Sequence, residues 1–202
     1  MVIDDDPMVR RALDSLFRSI GLTTALYESA TAFLAVDAPT TTSCIVTDVR
    51  MPGLSGLDFQ KALAVRGVTT PVILITGHGD VPMSVRAMKA GAVDFLTKPF
   101  RDQDLIDAVN EALERDSRNR GRARGIADAK ARYGLLTLRE RQVMEHVVAG
   151  LMNKQTAAEL GLSEITVKLH RASLMRKMEV HTVADLVRLS QDLKSPPLGG
   201  VG

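Results

Sequence analysis

Asp48 closes the apolar run Cys44-Ile45-Val46-Thr47 and is followed by Val49-Arg50-Met51-Pro52-Gly53. A β-branched run ended by a carboxylate and a Pro-Gly turn predicts a buried strand with Asp48 at its C-terminal mouth. Polar groups stand at the ends of three further runs. Asp4-Asp5-Asp6 follow Met1-Val2-Ile3, Thr76 follows Pro71-Val72-Ile73-Leu74-Ile75, and Lys98-Pro99 come soon after Val93-Asp94-Phe95-Leu96. In open α/β sheets, ligands bind outside the carboxyl ends of the strands. Acids, a hydroxyl and a lysine around one carboxylate are the parts of a phosphoryl-transfer site that uses a metal.

A carboxylate that attacks phosphorus needs its own charge and that of the phosphoryl oxygens offset. Mg²⁺ (or Mn²⁺) does this with oxygen ligands while keeping several waters. Asp5 and Asp48 are the expected carboxylate ligands and the backbone carbonyl of Arg50 a third, with Asp4 acting behind them or through water. Lys98 is expected to pair with one phosphoryl oxygen and the Thr76 hydroxyl to bond another. Catalysis of this kind is positioning plus charge neutralisation. Asp6 and Asp80 read as structural residues.

The elements that must carry these groups alternate. A helix after Pro7 repeats Val9, Leu13, Leu16, Phe17 and Ile20 at helical spacing and stops at Gly21. Thr24–Tyr27 reads as a strand, Ser29 caps a short helix to about Val36, and Leu57–Val65 is helical. Asp80 caps a helix over about 82–90, and a last helix begins near Asp102. Strands and helices in alternation with short connections predict a doubly wound, five-stranded parallel sheet covered on both faces.

The chain has 202 residues and a net charge of +2. The charge is uneven: residues 1–110 carry 10 Lys/Arg against 13 Asp/Glu, net −3, and residues 111–202 carry 16 against 11, net +5. An acidic front half and a basic back half suggest two tasks, the second on nucleic acid. One cysteine, Cys44, excludes an internal disulfide and reads as core packing. No apolar run is long enough for a transmembrane helix and no signal peptide is visible, so no membrane is expected and the cytoplasm is the default location.

Residues 1–110 resemble the receiver domain of a bacterial two-component response regulator. The matching pieces are Asp4-Asp5, Asp48 with Met51-Pro52-Gly53, Thr76, Phe95 and Lys98-Pro99. The stretches Thr76-Gly-His-Gly-Asp-Val-Pro-Met and Met88-Lys-Ala-Gly-Ala-Val-Asp-Phe are similar to the FixJ-type subgroup (the FixJ/NarL subfamily). The resemblance implies a flavodoxin-like sheet of order 2-1-3-4-5 and a phosphoacceptor at Asp48 served by a sensor histidine kinase. It also implies a cis Lys98–Pro99 peptide, a switch in which Thr76 moves inward and Phe95 reorients, and tuning of phosphate lifetime by Arg50 and His78. The family's first strand begins several residues before the acid pair. Here three residues precede it, which suggests a shortened central strand and a less stable receiver, or a start further upstream.

The second half is helical. Thr137 and Glu140 form a capping box opening a helix to about Ala149, Asn153–Leu160 is a short helix, and Ser163 caps one to about Lys177. A fourth helix runs over about 182–193. At 100° per residue, Val167, Leu174 and Met178 share one face of residues 164–178, while Ile165, Lys168, Leu169, Ala172 and Arg176 share the opposite one. The second face suits a major groove. Lys168 is the expected base-edge reader, Leu169 and Ala172 contact thymine methyls, and Lys154, Thr166, Arg171 and Arg176 reach phosphates. His170 falls between the faces and reads as half-buried packing. Leu138-Arg-Glu-Arg-Gln-Val, Ala149-Gly-Leu-Met-Asn-Lys, Ala157-Ala-Glu-Leu-Gly-Leu-Ser and Thr166-Val-Lys-Leu-His-Arg resemble the LuxR-type DNA-binding domain, in which the last helix serves dimerisation; Val183, Leu186, Val187 and Leu189 equally fit the core of the domain itself.

Four segments follow: a receiver (1–112), a basic linker (113–133) helical at most near its start, a LuxR-type helix-turn-helix domain (134–194) and a disordered tail (195–202). Together they imply a transcription factor that accepts phosphate on Asp48, dimerises, binds promoter DNA and acts on RNA polymerase. It is not an enzyme beyond its own phosphorylation and dephosphorylation. An aspartate-nucleophile hydrolase would carry a second acid where Arg50 stands. The remaining alternative is a phosphorylation-independent DNA-binding regulator with an idle receiver.

Overall fold

The computed structural model describes residues 1–194; the expectation of a disordered tail concerns residues outside these. The chain divides into two compact units, Met1–Arg120 and a second beginning at Gly121. The first holds a five-stranded parallel sheet in the order β2-β1-β3-β4-β5, made of β1 (Val2–Ile3), β2 (Leu26–Tyr27), β3 (Ile45–Asp48), β4 (Val72–Thr76) and β5 (Asp94–Thr97). Between the strands run α1 (Pro7–Ser19), α2 (Ala30–Leu34), α3 (Gly56–Val65) and α4 (Val81–Lys89), and α5 (Asp102–Gly134) follows β5.

Side-chain alternation along the strands builds the two cores. Val2, Val46, Ile73 and Ile75 point to one face, where Leu13 and Phe17 of α1 and Leu105 and Val109 of α5 cover them. Ile3, Ile45, Val72 and Leu74 point to the other, under Phe33, Phe59, Leu63 and Ala87 from α2, α3 and α4. Burial on both faces explains why β3 and β4 read as continuous apolar runs rather than alternating ones. β1 is two residues long and fully buried, and its pairing reaches both neighbours. The Met1 nitrogen adds a bond to the Cys44 carbonyl at 2.8 Å. β2 is shorter than the expected Thr24–Tyr27.

α5 corrects the expectation for the linker. It is helical from Asp102 to Gly134. Gly121 and Gly125 each weaken a helix by about 1 kcal/mol relative to Ala, but no proline breaks the run. Glu114 pairs with Arg118 and Asp116 with Arg120 one turn apart. The fully buried Asp116 also accepts from the Ser43 amide at 2.9 Å, and Arg120 donates to the Pro39 carbonyl at 2.9 Å. These bonds tie the helix beyond its last apolar turn to the loop before β3.

The second unit packs α6 (Leu138–Val148), α7 (Asn153–Leu160), α8 (Glu164–Lys177) and α9 (Val183–Lys194) around Val143, Val147, Val167, Leu174, Met178 and Leu186. The α7–α8 turn needs a left-handed residue, and Gly161 supplies it at φ 64°.

Candidate functional site

The β1–β3 neighbourhood is where the strand order reverses, and it brings the acids together. Asp48 is the last residue of β3, 8 % exposed. Its Oδ1 accepts from the Arg50 amide at 2.8 Å and its Oδ2 from Lys98 Nζ at 2.6 Å. Lys98 reaches across β4 from the end of β5 and also donates to Asp4 Oδ2 at 3.1 Å. The other Asp4 oxygen accepts from the Asp6 amide at 2.9 Å, and Arg10 of α1 donates to the Asp4 carbonyl.

One ammonium therefore serves two buried carboxylates. Burial is the largest influence on Asp4 and pushes its carboxyl above the usual range, although the Asp6 amide and Lys98 pull it down. Burial lowers Lys98, but its bonds to Asp48 and Asp4 outweigh that and leave its ammonium more firmly protonated than usual. The pocket keeps an excess of negative charge that a further cation would offset.

Among the described residues, no three His, Cys, Asp or Glu side chains converge as a metal cage. Mg²⁺ asks for less: one or two carboxylates, waters and substrate phosphate oxygens. The donors here are all oxygen, with Asp5 exposed beside Asp4 at the mouth. This donor set suits that ion.

Thr76, the last residue of β4, is fully buried; its Oγ1 accepts from the His78 amide at 3.3 Å. Phe95 on β5 is half-buried against the core that includes Met83 and Ala87 of α4. The Lys98–Pro99 peptide is cis. Asp6 and Asp80 cap α1 and α4, accepting from the Met8 and Met83 amides at 2.7 Å. Sequence reasoning missed Arg10, whose place one turn into α1 points it back at the first strand. It also missed Gly56: a Cβ there would lie 2.4 Å from the Asp48 carbonyl oxygen.

In the second unit, Val167, Leu174 and Met178 are buried. Ile165, Lys168, Leu169, Ala172 and Arg176 are exposed, as is Lys154. Lys168 lies 3.3 Å from Glu164, Arg171 donates to Asn153 Oδ1 at 3.0 Å, and Thr166 bonds Ser163 at the α8 cap. His170 is half-buried.

The response regulator receiver domain family matches residues 1–110 and the luxR family of bacterial regulatory proteins matches residues 134–190. The chain belongs to the response regulators that carry a receiver and a LuxR-type DNA-binding domain. It is 55 % identical over 192 residues to Nodulation protein W of Bradyrhizobium diazoefficiens, covering 95 % of this chain and 85 % of that one. It is 47 % identical over 189 residues to the transcriptional regulatory protein FixJ of Azorhizobium caulinodans, covering 94 % and 90 %. Among solved structures, the response regulator StyR superposes with a TM-score of 0.83 at 43 % identity, covering 94 % and 96 %. The parallel sheet of order 2-1-3-4-5 with a helical C-terminal domain is the architecture of this family, and its members are transcription regulators rather than enzymes with a separate substrate. No described helix is long and apolar enough to cross a membrane.

Proposed function

We propose that this response regulator is switched by phosphorylation of Asp48. The observation that carries the reading is the carboxylate itself: at the mouth of β3, 8 % exposed, between a backbone amide on Oδ1 and the Lys98 ammonium on Oδ2. Asp48 attacks phosphorus on a phosphohistidine of a sensor kinase. The new bond forms to a carboxylate oxygen, and the kinase imidazole leaves with the electron pair of the broken P–N bond. Lys98 holds a phosphoryl oxygen. Asp5, Asp48 and the Arg50 carbonyl would hold Mg²⁺, with Asp4 behind them; when bound, the ion would supply positive charge against the phosphoryl oxygens. Arg50 and His78 at the rim set the lifetime of the phosphate.

The modification adds about −1.5 to −2 charge if it titrates like other phospho-residues. Thr76 leaves the His78 amide to bond the phosphoryl group, and Phe95 turns inward. The face formed by α4 and β5 then pairs two receivers through Val85, Met88 and Lys89. Exposure of Val81, Val85 and Met88 supports this. Paired output domains place α8 in the major groove at two half-sites about one helical turn apart, where effective concentration multiplies a weak single-domain affinity. Lys168, Leu169 and Ala172 read bases, while Lys154, Thr166, Arg171 and Arg176 hold the backbone. The complex acts in the cytoplasm on RNA polymerase. The receiver occupies residues 1–112, the linker 113–133 and the DNA-binding domain 134–194.

The test is size-exclusion with light scattering, with Mg²⁺ and a small phosphodonor, on wild type and Asp48→Asn. A monomer-to-dimer shift in wild type alone supports the reading. No shift in either protein removes the receiver from control of assembly.

A further inference from the structure

The loop between β4 and α4 holds two glycines with different surroundings. A Cβ at Gly77 would meet nothing within 4 Å. A Cβ at Gly79 would lie 2.7 Å from Thr97 Cγ2, 2.9 Å from Phe95 Cε1 and 3.1 Å from Thr76 Cγ2. Neither glycine has a positive φ. The backbone at position 79 therefore admits an ordinary residue, and what it lacks is room for a side chain. The missing room lies against the two switch side chains and the cross-strand neighbour of one of them: Thr76 pairs with Thr97 in the β4–β5 register.

The contacting atoms are a ring edge and two methyl groups, all ends of side chains that turn about their own bonds. A Cβ at position 79 displaces those ends and leaves the backbone in place. Just before Gly79, the His78 amide donates to Thr76 Oγ1 at 3.3 Å; just after it, Asp80 caps α4 through the Met83 amide at 2.7 Å. Gly79 thus sits between the bond that His78 makes to the Thr76 hydroxyl and the cap that fixes the start of α4. Thr76 Cγ2 and the Phe95 ring edge both border the space beside Gly79, so a rearrangement of either side chain is sensitive to what fills that space.

We propose that Gly79 is the positioning residue that couples Thr76, Phe95 and the start of α4. A methyl group there holds the pair in one arrangement, so that phosphorylation no longer reaches the α4–β5 face. This rests on the phosphorylation reading above, and it adds a residue to the switch that carries no chemistry of its own.

The test compares full-length wild type, Gly79→Ala, Gly77→Ala and Gly79→Ala/Thr97→Ser with Mg²⁺ and acetyl phosphate. Phosphate incorporation is read on a phosphate-affinity gel and assembly by light scattering. Gly79→Ala is expected to take phosphate within about threefold of wild type and to dimerise at least tenfold more weakly. Thr97→Ser, which removes the nearest methyl, restores part of the dimer, and Gly77→Ala behaves as wild type. The proposal is overturned if Gly79→Ala dimerises normally, if phosphate uptake falls in step with dimerisation, or if Gly77→Ala fails equally. A Gly79→Ala protein that does not fold, and is not recovered by Thr97→Ser, also overturns it, because the fold itself would then demand the glycine. Wild type taking no phosphate defeats the phosphorylation reading itself, and only the wild-type arm reports that.

Discussion

Lys98 Nζ lies 2.6 Å from Asp48 Oδ2, and its second carboxylate, Asp4 Oδ2, is 3.1 Å away. The ammonium is held between two acids, and under the proposed function a divalent ion would draw on the charge of the same pocket. Both cations answer the same negative charge, so they compete electrostatically. Lys98→Ala is expected to bind Mg²⁺ more tightly than wild type, by roughly three- to tenfold on titration calorimetry, while its phosphate uptake falls. Weaker Mg²⁺ binding in Lys98→Ala would mean that the lysine organises the carboxylates for the ion instead of competing with it.

Asp4 costs the receiver stability at neutral pH. Burial, the largest influence on it, raises its folded pKa above 3.8. A carboxylic acid with a raised folded pKa destabilises the native state at pH values above its unfolded pKa, where the unfolded chain ionises more readily. Asp4→Asn keeps an oxygen for the Asp6 amide, and Lys98 keeps Asp48. The substitution should raise the melting temperature at pH 7 by a few degrees, on the order of 1 kcal/mol for a domain this size. The gain shrinks as pH falls through the Asp4 titration, and phosphate uptake drops at every pH. A lower melting temperature at pH 7 would show that the Lys98 bond outweighs burial.

Gly56 and Gly77 make a steric contrast that thermal denaturation can read. A Cβ at Gly56 meets the Asp48 carbonyl oxygen at 2.4 Å and the Val49 Cα at 3.0 Å, both backbone atoms that cannot rotate away. Gly56→Ala should cost about 3 kcal/mol or more, the upper range for overpacking. Gly77→Ala should change stability by less than about 0.5 kcal/mol, as surface substitutions do. Equal effects would contradict this packing around Asp48.

On α8, Lys168 is exposed and only loosely paired with Glu164, whereas Arg171 is already bonded to Asn153. Lys168→Ala should reduce discrimination between operator and random DNA, by about 1–3 kcal/mol if it reads a base edge. Lys154→Ala should weaken both equally and lower the salt slope by about one. Binding isotherms at several salt concentrations separate the two roles, and identical behaviour of the two variants would cancel the assignment.

The positions of Asp48 and Thr76 at strand ends were legible because each closes an apolar run. Asp48 and Thr76 are the last residues of the buried strands β3 and β4, Lys98 follows the half-buried β5, and the strand order sets all three at one end of the sheet with Lys98 bonded to Asp48. The faces of α8 followed from 3.6-residue periodicity alone, and its buried and exposed residues fell as that period places them. What stayed hidden depends on long-range contacts. The basic stretch after residue 113 carries two glycines and few apolar residues, so nothing local marks it as helix. Asp116 finds Ser43, and Arg120 finds Pro39, only in the folded unit. Gly56 and Gly79 carry their constraint in empty space, which a sequence does not spell. The capping box at Thr137 and Glu140 was visible, but not the lysine 37 residues on that completes it.

That lysine makes the start of α6 sensitive to acid. Glu140 Oε2 accepts from the Thr137 amide at 2.8 Å and from Lys177 Nζ at 2.7 Å, joining the N-terminus of α6 to the last turn of α8. Burial alone would raise the Glu140 carboxyl. The bonds from Lys177, Ser173 and Thr137 overcome it and bring the pKa down from 4.5 to about 2. A depressed carboxylate pKa contributes stability that is complete above the unfolded value and is lost as pH falls through the folded one. The window therefore runs from about pH 4.5 down to about pH 2. Glu140→Gln keeps an acceptor for the Thr137 amide but removes the charge facing Lys177, and should cost roughly 1–3 kcal/mol at pH 7. Thermal melts followed by helical circular dichroism should show the gap between wild type and Glu140→Gln shrinking across that window. Lys177→Met should be destabilised as well and should flatten the same pH dependence. A gap that stays constant from pH 7 to pH 2 would assign the effect to packing around the cap and not to the Glu140–Lys177 charge pair.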